Sequence, residues 1–180
     1  MITAPGIIWE TGPELISPGR AAFDDGRLYR YQLTRTWNPA WPAIIWLMLN
    51  PSTAGAFTDD ATITRCTAFA RANQAGGITV VNLFAYRATR PADLRQAADP
   101  VGPLNDLFIL EACRRPGVVV VAWGTHGGLR GRAAAVTRLL TAAGVRPLCL
   151  GTTRDGYPRH PLYVPGATPL QPYREPSCGQ

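Results

Sequence analysis

Asn50 and Asn82 each stand at the end of an apolar run, a third run ends in Trp123-Gly124, and Arg159-His160-Pro161 follows a fourth. An asparagine amide offers two donors and an acceptor, so a pair of them can read the polar edge of a nucleobase. His160 adds a donor for a ring carbonyl, and Phe57, Phe84 or Tyr86 adds a face on which a base stacks. Pro51 fixes its own φ and restricts Asn50 to extended backbone, which presents the Asn50 amide in a constrained way. The bland alternative for Asn50-Pro51-Ser52-Thr53 is a strand-ending turn built from ordinary turn residues. Asp59 and Asp60 open the next helical pattern. Either serves as its N-cap or, beside the Asn-Pro loop, as a carboxylate for proton transfer.

These residues need a scaffold that brings them to one edge. Ile44–Leu49, Ile78–Leu83, Gly117–Trp123 and Val145–Leu150 are short apolar runs of the kind that become strands covered on both faces. Between them lie helical patterns: Ala61–Asn73, with Ile63, Cys66, Phe69 and Ala70 on one stripe; Pro91–Ala98; Gly102 to about Arg115, with Leu104, Leu107, Phe108 and Leu110 inward; and Gly131–Ala143. The alternation predicts a single α/β domain: a three-layer α/β/α sandwich with a mostly parallel four-stranded sheet. Parallel strands bring their carboxyl ends together, so the four loops are expected to line one crevice. Residues 1–26 read as an irregular arm, Leu28–Trp37 as an edge strand, 27–164 as the core and 165–180 as a tail. The Gly124-Thr125-His126-Gly127-Gly128 loop is read as letting backbone approach a ligand, with His126 incidental.

The formal net charge of +6 and pI of about 9.6 point to polyanionic partners such as nucleic acids. All 18 cationic side chains are arginine, so no side-chain amine is present to form a Schiff base. Arg87, Arg90 and Arg95 are candidates to face phosphate. Cys66, Cys113, Cys149 and Cys178 lack ligand spacing, so no metal is expected. Neither a dinucleotide glycine fingerprint nor a phosphate-binding GxxxxGK[ST] loop occurs, and no cofactor is expected. The opening MITAPGIIWE has no charged region followed by an apolar core, and no apolar run reaches the ~18 residues of a membrane span. A cytoplasmic protein without a membrane partner is the expectation. Oligomeric state has no signal in the residues.

In order and spacing, Asn50-Pro51, Asn82, Trp123-Gly124 and His160-Pro161-Leu162 resemble the motifs of the uracil-DNA glycosylase superfamily, from Ile44 to Leu162. The resemblance implies a base-excision enzyme of DNA repair, a hydrolase that cuts the glycosidic bond of a damaged or modified base. It implies that Asn50 orients the attacking water, Asn82 reads the base, His160 contacts it, and Leu162 enters the duplex. Met48 and Ser52 stand where the mismatch-specific branch has glycines, and Tyr163 stands where a second proline is usual. The chain resembles more closely a bacterial domain family of unknown function that carries Leu-Asn-Pro-Ser-Thr-Ala, Asp-Asp with a following Arg, Asn-Leu-Phe, Trp-Gly and His-Pro-Leu. Here these are Leu49–Ala54, Asp59-Asp60 with Arg65, Asn82–Phe84, Trp123-Gly124 and His160–Leu162. That likeness marks Asp59 and Asp60 as site candidates. With Arg65, Arg87, Arg159 and Leu162 toward nucleic acid, the expected activity is a monofunctional DNA glycosylase. The alternatives are a hydrolase of a free modified nucleoside or nucleotide, and a non-catalytic nucleotide- or nucleic-acid-binding module.

Overall fold

The computed structural model describes residues 2–12 and 19–175, so the expectation for Cys178 lies outside the described residues. The strands are β1 (Ile7–Thr11), β2 (Gly19–Asp24), β3 (Arg30–Thr36), β4 (Ala43–Met48), β5 (Gly77–Asn82), β6 (Gly117–Val121), β7 (Leu148–Cys149) and β8 (Gln171–Pro172). The helices are α1 (Ala61–Ala72), α2 (Pro91–Gln96), α3 (Asn105–Cys113) and α4 (Arg132–Ala142). All eight strands join one sheet in the order β1-β2-β3-β5-β4-β6-β7-β8.

This corrects the expected fold class. The sheet is mixed and eight-stranded, not a mostly parallel four-stranded sheet in a three-layer sandwich. Four of its pairings are antiparallel, against three parallel ones. The difference comes from both ends of the chain. Residues 7–11 and 19–24, read as irregular for their Gly and Pro content, form an antiparallel pair. Gly19 marks a close approach there: a Cβ at this position would lie 2.4 Å from the Ala56 carbonyl oxygen. β3 is interior, paired with β2 on one side and β5 on the other, so Leu28–Trp37 does not hold an edge strand. At the other end, β8 from the expected tail pairs with β7, and β7 has only two residues where Val145–Leu150 was expected to be extended.

The middle strands place the cavity described below. β4 lies between β5 and β6, parallel to both, and its side chains alternate between two apolar clusters. Ile44, Trp46 and Met48 pack with Ile63, Cys66 and Phe69 of α1. Ile45 and Leu47 pack with Ile109 and Ala112 of α3 and Val136 and Leu140 of α4. In α3 the inward stripe is Asn105, Phe108, Ile109, Ala112 and Cys113, while Leu107 is exposed. The expected stripe of Leu104, Leu107, Phe108 and Leu110 is therefore rotated, because Asn105 turns inward to donate to the Asn82 and Leu83 carbonyls.

Candidate functional site

β4, β5 and β6 run parallel, and their carboxyl ends open into one cavity of about 550 Å³. That is the size range of a small-ligand pocket. Asn50 and Asn82 line it, as do Trp123, Gly124, His160 and Asp60. Arg159 and Leu162 lie on its exposed side.

Asn50 is fixed by two backbone acceptors. Its Nδ2 donates to the Pro51 carbonyl at 3.0 Å and the Ala88 carbonyl at 2.7 Å. Both amide hydrogens are thereby engaged. No described residue donates to Oδ1, which leaves the acceptor end of the amide available to a ligand or a water. Asp60 is the N-cap of α1: Oδ1 accepts from Ile63 N at 2.9 Å. Capping and cavity lining coexist in this one carboxylate, since Oδ2 receives no donor from the described residues.

His160 accepts a hydrogen bond from Leu162 N at Nδ1, 3.3 Å away. A neutral imidazole that accepts at Nδ1 carries its proton on Nε2, so the second nitrogen is a donor. Burial lowers the His160 pKa from its ordinary value and the Asp60 charge partly opposes that. The neutral donor form is accordingly favoured near pH 7. The loop carrying His160 is tied to α1 by Arg65, which donates to the Pro161 carbonyl at 3.3 Å and the Val164 carbonyl at 2.6 Å.

Several expected site residues do other work. Asp59 does not line the cavity and pairs with Arg35, which reaches its Oδ1 from Nε at 2.9 Å and from a terminal nitrogen at 2.7 Å. Phe84 is fully buried in the core cluster beneath the sheet, and Phe57 is 66% exposed and does not line the cavity. Tyr86 packs its ring edge against Tyr29. Arg65 holds the His160 loop. Arg87 donates to the Arg27 carbonyl and lies over the Phe23 ring, while Arg90 pairs with Asp93. None of these three lines the cavity.

Two cavity residues carried no signal in the sequence. Arg30, at the start of β3, is 3% exposed and lines the cavity, where Leu28–Trp37 was read as an edge strand. Burial pulls its pKa down to about 10 against the opposing pull of Asp60, so it stays cationic at neutral pH. Tyr163, 79% exposed, stands at the rim with its ring 5.6 Å from the His160 ring. His126, read as incidental, also lines the cavity. Two glycines of its loop have a packing reason: a Cβ on Gly127 would sit 2.1 Å from Trp123 Cδ1 and one on Gly128 2.6 Å from the Tyr157 hydroxyl, whereas Gly124 has a positive φ of 68°. Among the described residues no group of three or more His, Cys, Asp or Glu could hold a metal ion. No described helix is long and apolar enough to cross a membrane.

Comparison with known proteins adds a family to this geometry. A family model described as a protein of unknown function (DUF1643) matches residues 30–162, and the chain belongs to that family. No curated protein and no solved structure matches the chain.

Proposed function

We propose that this member of the DUF1643 family is an N-glycosidase, hydrolysing the bond between a damaged or modified base and its sugar in DNA, as the resemblance to the uracil-DNA glycosylase superfamily implies. The observation that carries the reading is the Asn50 amide. Its two hydrogens are pinned to Pro51 and Ala88, and its free oxygen shares a cavity with Asp60 and His160. A base swung out of the stack enters this cavity. The bond from C1′ to the base nitrogen breaks, and its electron pair leaves with the base. Asn50 Oδ1 orients a water that bonds to C1′. Asn50 has no basic group to take a proton from that water, so the step is largely dissociative and Asp60 accepts the proton. His160 donates from Nε2 to the departing base, and Asn82 contacts its edge.

A free modified nucleotide is a second substrate reading. It is favoured by the use of Arg65 and Arg87 inside the fold, where each donates to the protein's own carbonyls. Of the arginines assigned to a nucleic-acid strand, Arg159 alone lines the cavity, and its Nε donates to the Thr152 carbonyl. Base release is to be measured from oligonucleotides carrying varied lesions and from the matching free nucleotides. Release from either supports the glycosidase, and the better substrate identifies its class. No release from any member of a broad panel, with the lesions bound intact, makes the protein a binding module and overturns the proposal.

A further inference from the structure

Three arginines of the described residues are buried: Arg30, Arg35 and Arg132. Arg35 is paired with Asp59, and Arg132 with Asp106. Arg30 differs from both. Its guanidinium donates to the Ala54 carbonyl at 2.5 Å, no described carboxylate bonds to it, and its buried Nε has no partner. A buried charge is ordinarily paired, because leaving water without a hydrogen-bonded counter-charge is strongly unfavourable.

Asn82 repeats the pattern on the same cavity wall. It is 2% exposed, and its Nδ2 is buried without an acceptor. The adjacent Asn105 shows that the fold can satisfy such a group, since its Nδ2 reaches two backbone carbonyls. Arg30 and Asn82 both line the cavity, and the unpartnered atoms on both are donors. Two buried donor atoms without acceptors, Arg30 Nε on a charged group and Asn82 Nδ2 on a neutral one, call for an acceptor from outside the chain. Asp60 lines the same cavity and its charge partly offsets the burial of Arg30, but it makes no hydrogen bond to Arg30. Its Oδ1 is held by Ile63 N.

We propose that Arg30 and Asn82 form an oxyanion subsite at the buried end of the cavity, which seats a phosphate or carboxylate group of the ligand. The guanidinium supplies the charge and Arg30 Nε–H and Asn82 Nδ2–H supply the hydrogen bonds. The subsite goes beyond the glycosidase reading, because it requires a ligand but not the breaking of a bond.

Titration calorimetry on the full chain tests it, with inorganic phosphate, a nucleoside, its 5′-monophosphate and a carboxylate-bearing heterocycle as probes. The monophosphate or the carboxylate heterocycle is expected to bind at least ~10-fold more tightly than the nucleoside, the scale of one charge-assisted hydrogen bond. Displacement by inorganic phosphate would place the anion on the phosphate. Preferential binding of the heterocycle without such displacement would place it on the base. Asn82→Asp removes the Nδ2–H donor and puts a carboxylate in the cavity that Arg30 lines, and should lower affinity for the anionic probe by roughly 10–100-fold while the protein stays folded. Equal affinity for the nucleoside and both anionic probes overturns the subsite, as does full affinity in the folded Asn82→Asp variant. Should that variant not fold, the wild-type ranking decides alone. Base release without any anion preference overturns the subsite and leaves the glycosidase standing. Anion binding without base release does the reverse.

Discussion

Arg65 donates to the carbonyl oxygen of Val164 at 2.6 Å, across 99 positions of chain, and so fastens helix α1 to the loop that presents His160. The same guanidinium reaches Pro161 and lies over the Phe69 ring, 5.1 Å from its centroid. One side chain thus fixes the distance between the helix capped by Asp60 and the imidazole on the facing loop. Arg65 is placed as a positioning residue, where the sequence suggested a nucleic-acid contact.

Arg65→Ala should therefore loosen the loop without changing how binding depends on salt. Loss of two hydrogen bonds from a charged donor is worth ~1–3 kcal/mol, read as a fall in denaturant midpoint. A phosphate contact behaves differently: its removal flattens the slope of log affinity against log salt by about one. A flattened slope with unchanged stability would return Arg65 to the nucleic-acid interface.

The two adjacent aspartates should separate cleanly. Asp59→Asn removes the counter-charge of the buried Arg35 and should cost ~1–2 kcal/mol of stability, a value kept low because the Asp59 side chain is 40% exposed. Asp60→Asn keeps a competent N-cap, since Asn and Asp cap comparably, but loses the carboxylate. It should slow base release by ~10²–10⁴ with little change in stability. Chemical denaturation and single-turnover rates on both variants check this. The opposite assignment would show Asp59→Asn as the slow, stable protein.

His160 gives a signed pH dependence. Its folded pKa lies below its ordinary value of 6.5, because burial penalises the imidazolium. Between the lowered folded pKa and about 6.5, the unfolded chain binds more protons than the folded one. Stability contributed by neutral His160 is complete above about pH 6.5 and is lost as pH falls through that window. Denaturation midpoints from pH 5 to 8 should fall on the acid side in the wild type, and the fall should be shallower in His160→Gln. Identical profiles for the two proteins would contradict the buried neutral imidazole.

The strand-end residues were legible because an apolar run that stops at a polar residue is a local signal, and Ile44–Leu49 and Ile78–Leu83 each carry one. The sheet that collects them was less so. Gly19 and its neighbours read as irregular because a glycine needed for close approach to Ala56 looks the same as one in a loop. Arg30 was hidden by its strand. In an edge strand the polar positions of Leu28–Trp37 face water, whereas β3 is interior and has Arg30, Gln32 and Arg35 buried. No alternation pattern distinguishes those cases, since the distinction depends on whether residues 19–24 pair on the far side. Phe84 follows the same logic in reverse: its position after Asn82 suggested a stacking face, but the chain turns it into the core.

The central claim is that Asn50 Oδ1 orients the water that attacks the sugar. The most direct measurement is single-turnover base release by wild type and Asn50→Ala on the best lesion in the panel. The account predicts a ~10²–10⁴-fold slower release in Asn50→Ala, with binding of the abasic product nearly unchanged because Asn50 acts on the transition state. The DNA strand should remain intact and borohydride should trap no covalent adduct, because the chain has no side-chain amine to form one. Wild-type rates of base release in Asn50→Ala, or a trapped protein–DNA adduct, would contradict it.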